Sequence, residues 1–93
     1  MLLASLRLTL RLYESASLKE KRFVLSSVRR RLRNRFNVAV SEVDLHESHR
    51  EAELAVVTVG REKKQVDREI EAVTRFLDGD GRFEVVDRLQ EYF

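Results

Sequence analysis

Seven lysines and arginines fall between residues 19 and 33, and Glu20 is the one carboxylate among them. Cations at this density attract phosphate, and arginine's planar fork suits bidentate phosphate contacts. The whole chain shows the same preference, with fourteen arginines to four lysines. A base composition rich in G and C or a thermophilic source yields that bias too. The second chemical feature is Phe23, an aromatic set among these cations. It can stack on a base, plug a protein partner or fold back on the preceding loop. A third group lies at residues 44–51, where Asp44, His46, Glu47, His49 and Glu51 gather. Two histidines with carboxylates suit zinc or nickel, but a flexible turn without further ligands seldom holds either.

Other chemistries find no support. There is no cysteine, hence no disulfide, thiolate metal site or cysteine nucleophile. Nothing orients a serine against either histidine. Gly60, Gly79 and Gly81 form no phosphate-cradling motif. The expectation is a protein that is not an enzyme, with no catalytic residue, no cofactor and no metal.

The elements that must position the cations follow from periodicity. Residues 2–12, "LLASLRLTLRL", alternate leucine and alanine with Ser5, Arg7, Thr9 and Arg11, as a half-buried strand does. Residues 18–36 have helical spacing, with Leu18, Leu25, Val28, Leu32 and Phe36 on one stripe and Val24 beside it. Strands are expected at 37–46 and 52–59, joined by the polar turn "HESHRE", and Gly60 ends the second. Val66, Ile70, Val73 and Leu77 predict a helix over 62–78. "DGDG" is a strong stop, and a last strand covers 82–91. The order is βαββαβ. Two right-handed crossovers then give an α+β ferredoxin-like sandwich: an antiparallel sheet of order 4-1-3-2 with both helices on one face. A chain of 93 residues forms one domain, 1–93, with a modest core.

On the first helix, Arg22, Ser26, Arg29 and Arg33 share a ridge beside the core stripe, and Lys19 and Arg30 flank it. Free N–H groups at residues 18–20 would add to the attraction for an anion. The same pattern describes a solvated polar face. Cations in a helix's first turn each cost about 0.3–1 kcal/mol against its dipole, which a bound phosphate would remove. Ser17 and Glu20 match a capping box, in which Ser17 accepts from the Glu20 N–H and Glu20 returns to the Ser17 N–H. Lys21 falls inside the apolar arc, so its stem is expected to snorkel past the sheet end, toward a carboxylate such as Glu14. The candidate RNA- or anion-binding set is Lys19, Lys21, Arg22, Arg29, Arg30 and Arg33, with Phe23 as a stacking or partner contact. Arg7 and Arg11 are lesser contributors.

The charge split supports a polyanion partner. Residues 1–35 hold ten basic and two acidic side chains, and residues 36–93 hold eight and fourteen. Two mutually attracting halves of one surface, or a dimer pairing basic with acidic, would show the same split. On the open sheet face, Ala55, Val57 and Val59 are more apolar than water-facing positions usually are, which suggests a homodimer. Ala39, Ser41, Val43 and Leu45 are expected to share that face. RNA-recognition modules of this topology stack bases on sheet aromatics, but these strands carry no such aromatics, so that mode is rejected. No apolar run approaches the roughly 18 residues of a membrane span, and residues 1–12 lack the pattern of a signal peptide. The expected setting is cytoplasmic, without a membrane.

Three segments carry a resemblance. "SLKEKR" at Ser17–Arg22, "RFNVAVSEV" at Arg35–Val43 and "AEL" at Ala52–Leu54 resemble the YlxP-like family, a bacterial domain of unknown function. The likeness covers nearly the whole chain. It departs at the hairpin, where many members have an aromatic and this chain has "HESH". The resemblance implies a ferredoxin-like fold and gives no settled activity. Family genes often stand beside those for transcription-elongation, translation-initiation and ribosome-maturation factors, which implies work near ribosomal RNA. The leading expectation is therefore an RNA- or ribosome-associated module docking through its basic first helix. A homo-oligomeric interaction or regulatory module is the alternative.

Overall fold

A computed structural model describes residues 1–93. The elements run β1 (Leu2–Leu12), α1 (Leu18–Arg35), β2 (Val38–Asp44), β3 (Glu51–Gly60), α2 (Lys63–Asp78) and β4 (Phe83–Tyr92). The sheet order is β2-β3-β1-β4, which read from the other edge is the expected 4-1-3-2. Every neighbouring pair is antiparallel. This is the ferredoxin-like arrangement.

The alternation in β1 is realised in full. Ala4, Leu6, Leu8, Leu10 and Leu12 are buried, as are Ala52, Leu54 and Val56 of β3. Leu25, Val28 and Leu32 of α1 join the same core, with Val66, Ile70, Val73 and Leu77 of α2 and Phe83 of β4. Both helices thus cover one sheet face. Burying each of these leucines contributes about 1.5–3 kcal/mol. Gly60 marks the entry to α2. A Cβ there would lie 2.9 Å from Gln65 and Val66, so close packing of strand against helix demands glycine. No helix is long and apolar enough to cross a membrane.

Two bulges depart from the simple alternation. In β4 the register shifts opposite Thr9 and Leu10. In β2 it shifts between Glu42 and Asp44. Simple alternation would put Glu42 and Asp44 on one face. With Val43 as the extra residue, Glu42 stands opposite buried Leu54 and Asp44 stands opposite Glu53 of the open face. The expected continuous face from Ala39 to Leu45 is therefore broken at Val43. β2 ends at Asp44, and Leu45 enters the left-handed region at φ 63°.

Candidate nucleic-acid interface

Ser17 caps α1 from an extended backbone (φ −152°, ψ 161°), and its hydroxyl accepts from the Glu20 N–H at 3.1 Å. The other half of the box differs from expectation. The Glu20 carboxylate accepts from the Ala16 N–H at 2.6 Å, one residue earlier than Ser17. The cap occupies one of the three N–H groups expected to be free, and those of Leu18 and Lys19 keep no intramolecular acceptor.

Along α1 the cations divide by environment. Lys19, Arg22, Arg30 and Arg33 are exposed and Arg29 is half-buried. None has a carboxylate within ion-pair distance, since the chain's seven ion pairs all lie elsewhere. Ridge geometry puts Arg22, Ser26, Arg29 and Arg33 on the flank opposite Arg35. Arg35 faces the second helix, its guanidinium 4.9 Å from the centre of the Phe76 ring. Phe23 is 75 % exposed, so it does not fold back into the core.

Lys21 leaves the expected anion-binding set. It is 1 % exposed. Its ammonium donates to the carbonyls of Leu45 (2.9 Å) and Glu51 (3.1 Å), at the two ends of the β2–β3 hairpin. Glu42 Oε2 lies 3.0 Å from Nζ, at an angle too bent for a hydrogen bond, and supplies the counter-charge. The partner is Glu42, not Glu14: alternation with Val38 and Val40 carries Glu42 inward, and the bulge at Val43 then turns Asp44 outward. The left-handed turn at Leu45, held by its N–H donating to Asp44 Oδ1 (2.7 Å), presents the carbonyl that Lys21 binds. A buried ammonium needs such partners, since stripping it of water otherwise costs several kcal/mol.

Arg7 and Arg11 are also engaged. Arg7 donates to Glu53 at 2.7 Å, and Arg11 lies 3.5 Å from Glu51. The Glu53 hydrogen bond, then its charge, raises the Arg7 pKa above its ordinary value. Strand pairing puts Asp44, Glu51, Glu53, Glu84, Asp87 and Glu91 on this open face beside only these two arginines. The open face is acidic and repels phosphate. At the hairpin, His46 and His49 are exposed, and no three histidine or carboxylate side chains converge there.

A groove of about 890 Å³ opens beside the N-terminal turns of α1. The β1–α1 loop, with Tyr13, forms one wall, and the α2–β4 turn, with Gly81 and Arg82, forms the other. Lys19 and Phe23 stand at its helical side. Asp80 fixes the turn by accepting from Arg82 Nε (2.6 Å) and NH2 (2.8 Å), while Gly81 takes φ 85°. That hydrogen bonding holds the Asp80 carboxyl below its usual range. Periodicity gives no signal for this groove, because its walls are two loops joined only by the fold.

A family profile described as "Protein of unknown function (DUF503)" matches residues 3–89. The chain belongs to the DUF503 family. It is also similar to the "Uncharacterized protein YlxP" of Bacillus subtilis (strain 168), with 33% identity over 67 residues, covering 72% of this chain and 73% of the relative. In this DUF503 chain, the segments that carried the resemblance divide in two. Lys21 of "SLKEKR" and Glu42 of "RFNVAVSEV" form the buried pair. Lys19 and Arg22 remain exposed and unpaired.

Proposed function

We propose that this DUF503 protein is a non-enzymatic cytoplasmic module that docks on RNA, ribosomal RNA included, through the outer flank of α1. The observation that carries this reading is Lys19, Arg22, Arg29, Arg30 and Arg33 standing on one flank with no carboxylate partner. Of the cations singled out from the sequence, the sheet-face arginines are neutralised and Lys21 is buried, which leaves that flank. Contacts of this kind position a protein on a phosphate backbone without reading sequence. Several polar groups of the neighbouring groove are already spent on capping and turn bonds, with Ser17 on Glu20, Glu20 on Ala16 and Arg82 on Asp80. No nucleophile is paired with a base there.

Pull-down from lysate with and without RNase tests the reading. RNA-dependent capture of ribosomal particles is expected, and capture should fall by orders of magnitude for Arg29→Glu/Arg33→Glu with an unchanged circular dichroism spectrum. Partners that persist after RNase count against it.

A second reading rests on the open face. Val57, Val59 and Leu89 are exposed there, with Ala55 beside Val57 on β3. A second copy covering this apolar half would form a homodimer. Light scattering should give twice the monomer mass for the wild type and the monomer mass for Val57→Asp. A wild-type monomer at high concentration removes this reading and leaves the first intact.

A further inference from the structure

We infer that the groove between the β1–α1 loop and the α2–β4 turn receives an unpaired base of single-stranded RNA, stacked on Phe23 and Tyr13. The inference rests on the RNA-docking reading and adds a site to it. Two aromatic side chains line this one groove while staying mostly in water, Phe23 at 75 % and Tyr13 at 62 % exposure. A folded chain gains by burying such rings, so a pair left out at one concavity is available to a ligand with an apolar face.

The floor and walls are held in place. Leu12 is buried beneath, and the Tyr13 N–H donates to the Arg82 carbonyl at 3.1 Å, tying one wall to the other. Ser15, itself buried, donates to the Ser17 carbonyl at 3.1 Å. The site needs little ordering when a ring enters.

Charge selects the occupant. Lys19, Glu14 and Glu20 stand along the lining, and Arg82 is already neutralised by Asp80. A groove with no excess of positive charge suits a neutral planar base and does not suit a phosphate. The uncompensated cations lie next door, and on the helix Lys19 and Arg30 flank Phe23 at spacings of four and seven. A base in the groove thus leaves its own phosphate at Lys19 and the next phosphates along the basic flank. A paired base cannot reach the rings without leaving its stack, so the occupant is single-stranded.

The test uses fluorescence anisotropy with a mixed-sequence single-stranded RNA dodecamer and the duplex of the same length. Base–aromatic stacking of the usual strength predicts that Phe23→Ala weakens single-strand binding by about 10-fold or more. Tyr13→Ala acts in the same direction. Duplex binding should change less than about 2-fold, because the phosphate contacts remain. The chain has no tryptophan, so Phe23→Trp introduces a single reporter, whose emission should be quenched by the single strand and not by the duplex. Wild-type single-strand affinity in both alanine variants overturns the inference, as does equal loss for the two RNAs. In either case RNA docking stands if Arg29→Glu/Arg33→Glu still abolishes binding. Absence of any RNA binding by the wild type overturns both.

Discussion

Lys19 and Lys21 sit two residues apart in the first turns of α1 and do opposite things. Lys19 is exposed near the positive end of a helix dipole and has no partner. Replacing it by alanine should stabilise the fold by about 0.3–1 kcal/mol in urea titrations while weakening RNA binding. Lys21 is enclosed by Leu45, Glu51 and Glu42. Lys21→Met leaves the half-buried Glu42 carboxylate without its counter-charge and should cost about 3 kcal/mol, the low end for a broken buried pair. Adding Glu42→Leu should recover most of that loss, since a well-packed apolar pair often matches a buried ion pair. A double variant as unstable as the single one would show that the carbonyl contacts, rather than the ion pair, dominate. At this scale the sequence is partly legible. The wheel angle of Lys21 shows that it points inward. Glu42 shares the inward face of Val38 and Val40 by alternation alone, but the Leu45 carbonyl is hidden, because alternation gives no sign of the bulge at Val43 and a leucine in the left-handed region has no sequence signature.

The elements themselves are far more readable. Strict alternation in residues 2–12 places β1 to the residue, and the spacing of Val66, Ile70, Val73 and Leu77 places α2 within one residue of its ends. Local periodicity suffices there because each element buries a single face. The groove is not legible, since its walls come from loops some 65 residues apart that only the sheet brings together. One of those loops carries a pH dependence. Asp80 is held by Arg82 below the usual carboxylate range. A depressed folded-state pKa gives stability that is present above the unfolded value of 3.8 and lost as pH falls through the lower folded value. Asp80→Asn should therefore be less stable at neutral pH by about 1 kcal/mol, allowing for the partial exposure of Arg82. Its stability should also fall less than that of the wild type as pH drops below about 4. Parallel pH profiles for the two proteins would contradict this. At Gly81 no atom lies within 4 Å of an added Cβ, so Gly81→Ala should cost only the conformational penalty, about 1–2 kcal/mol.

For the whole molecule, the division of charge along the chain becomes a division between surfaces. The acidic half supplies most of the open sheet face, where it neutralises Arg7 and Arg11. It does not reach the outer flank of α1, so the two halves do not cancel each other there. The sequence shows how many charges each half carries. Only the fold shows which of them remain unpaired. The central claim is that this flank binds an RNA backbone, and its most direct test is salt dependence. Binding of a ribosomal RNA fragment should be measured by anisotropy between 50 and 200 mM salt, for the wild type and for Arg29→Glu/Arg33→Glu. With about five phosphate contacts, wild-type affinity should fall about a hundredfold over that range. The variant should bind far more weakly and with a shallower slope. Wild-type binding that is insensitive to salt, or a variant with the same affinity and slope, would contradict the account.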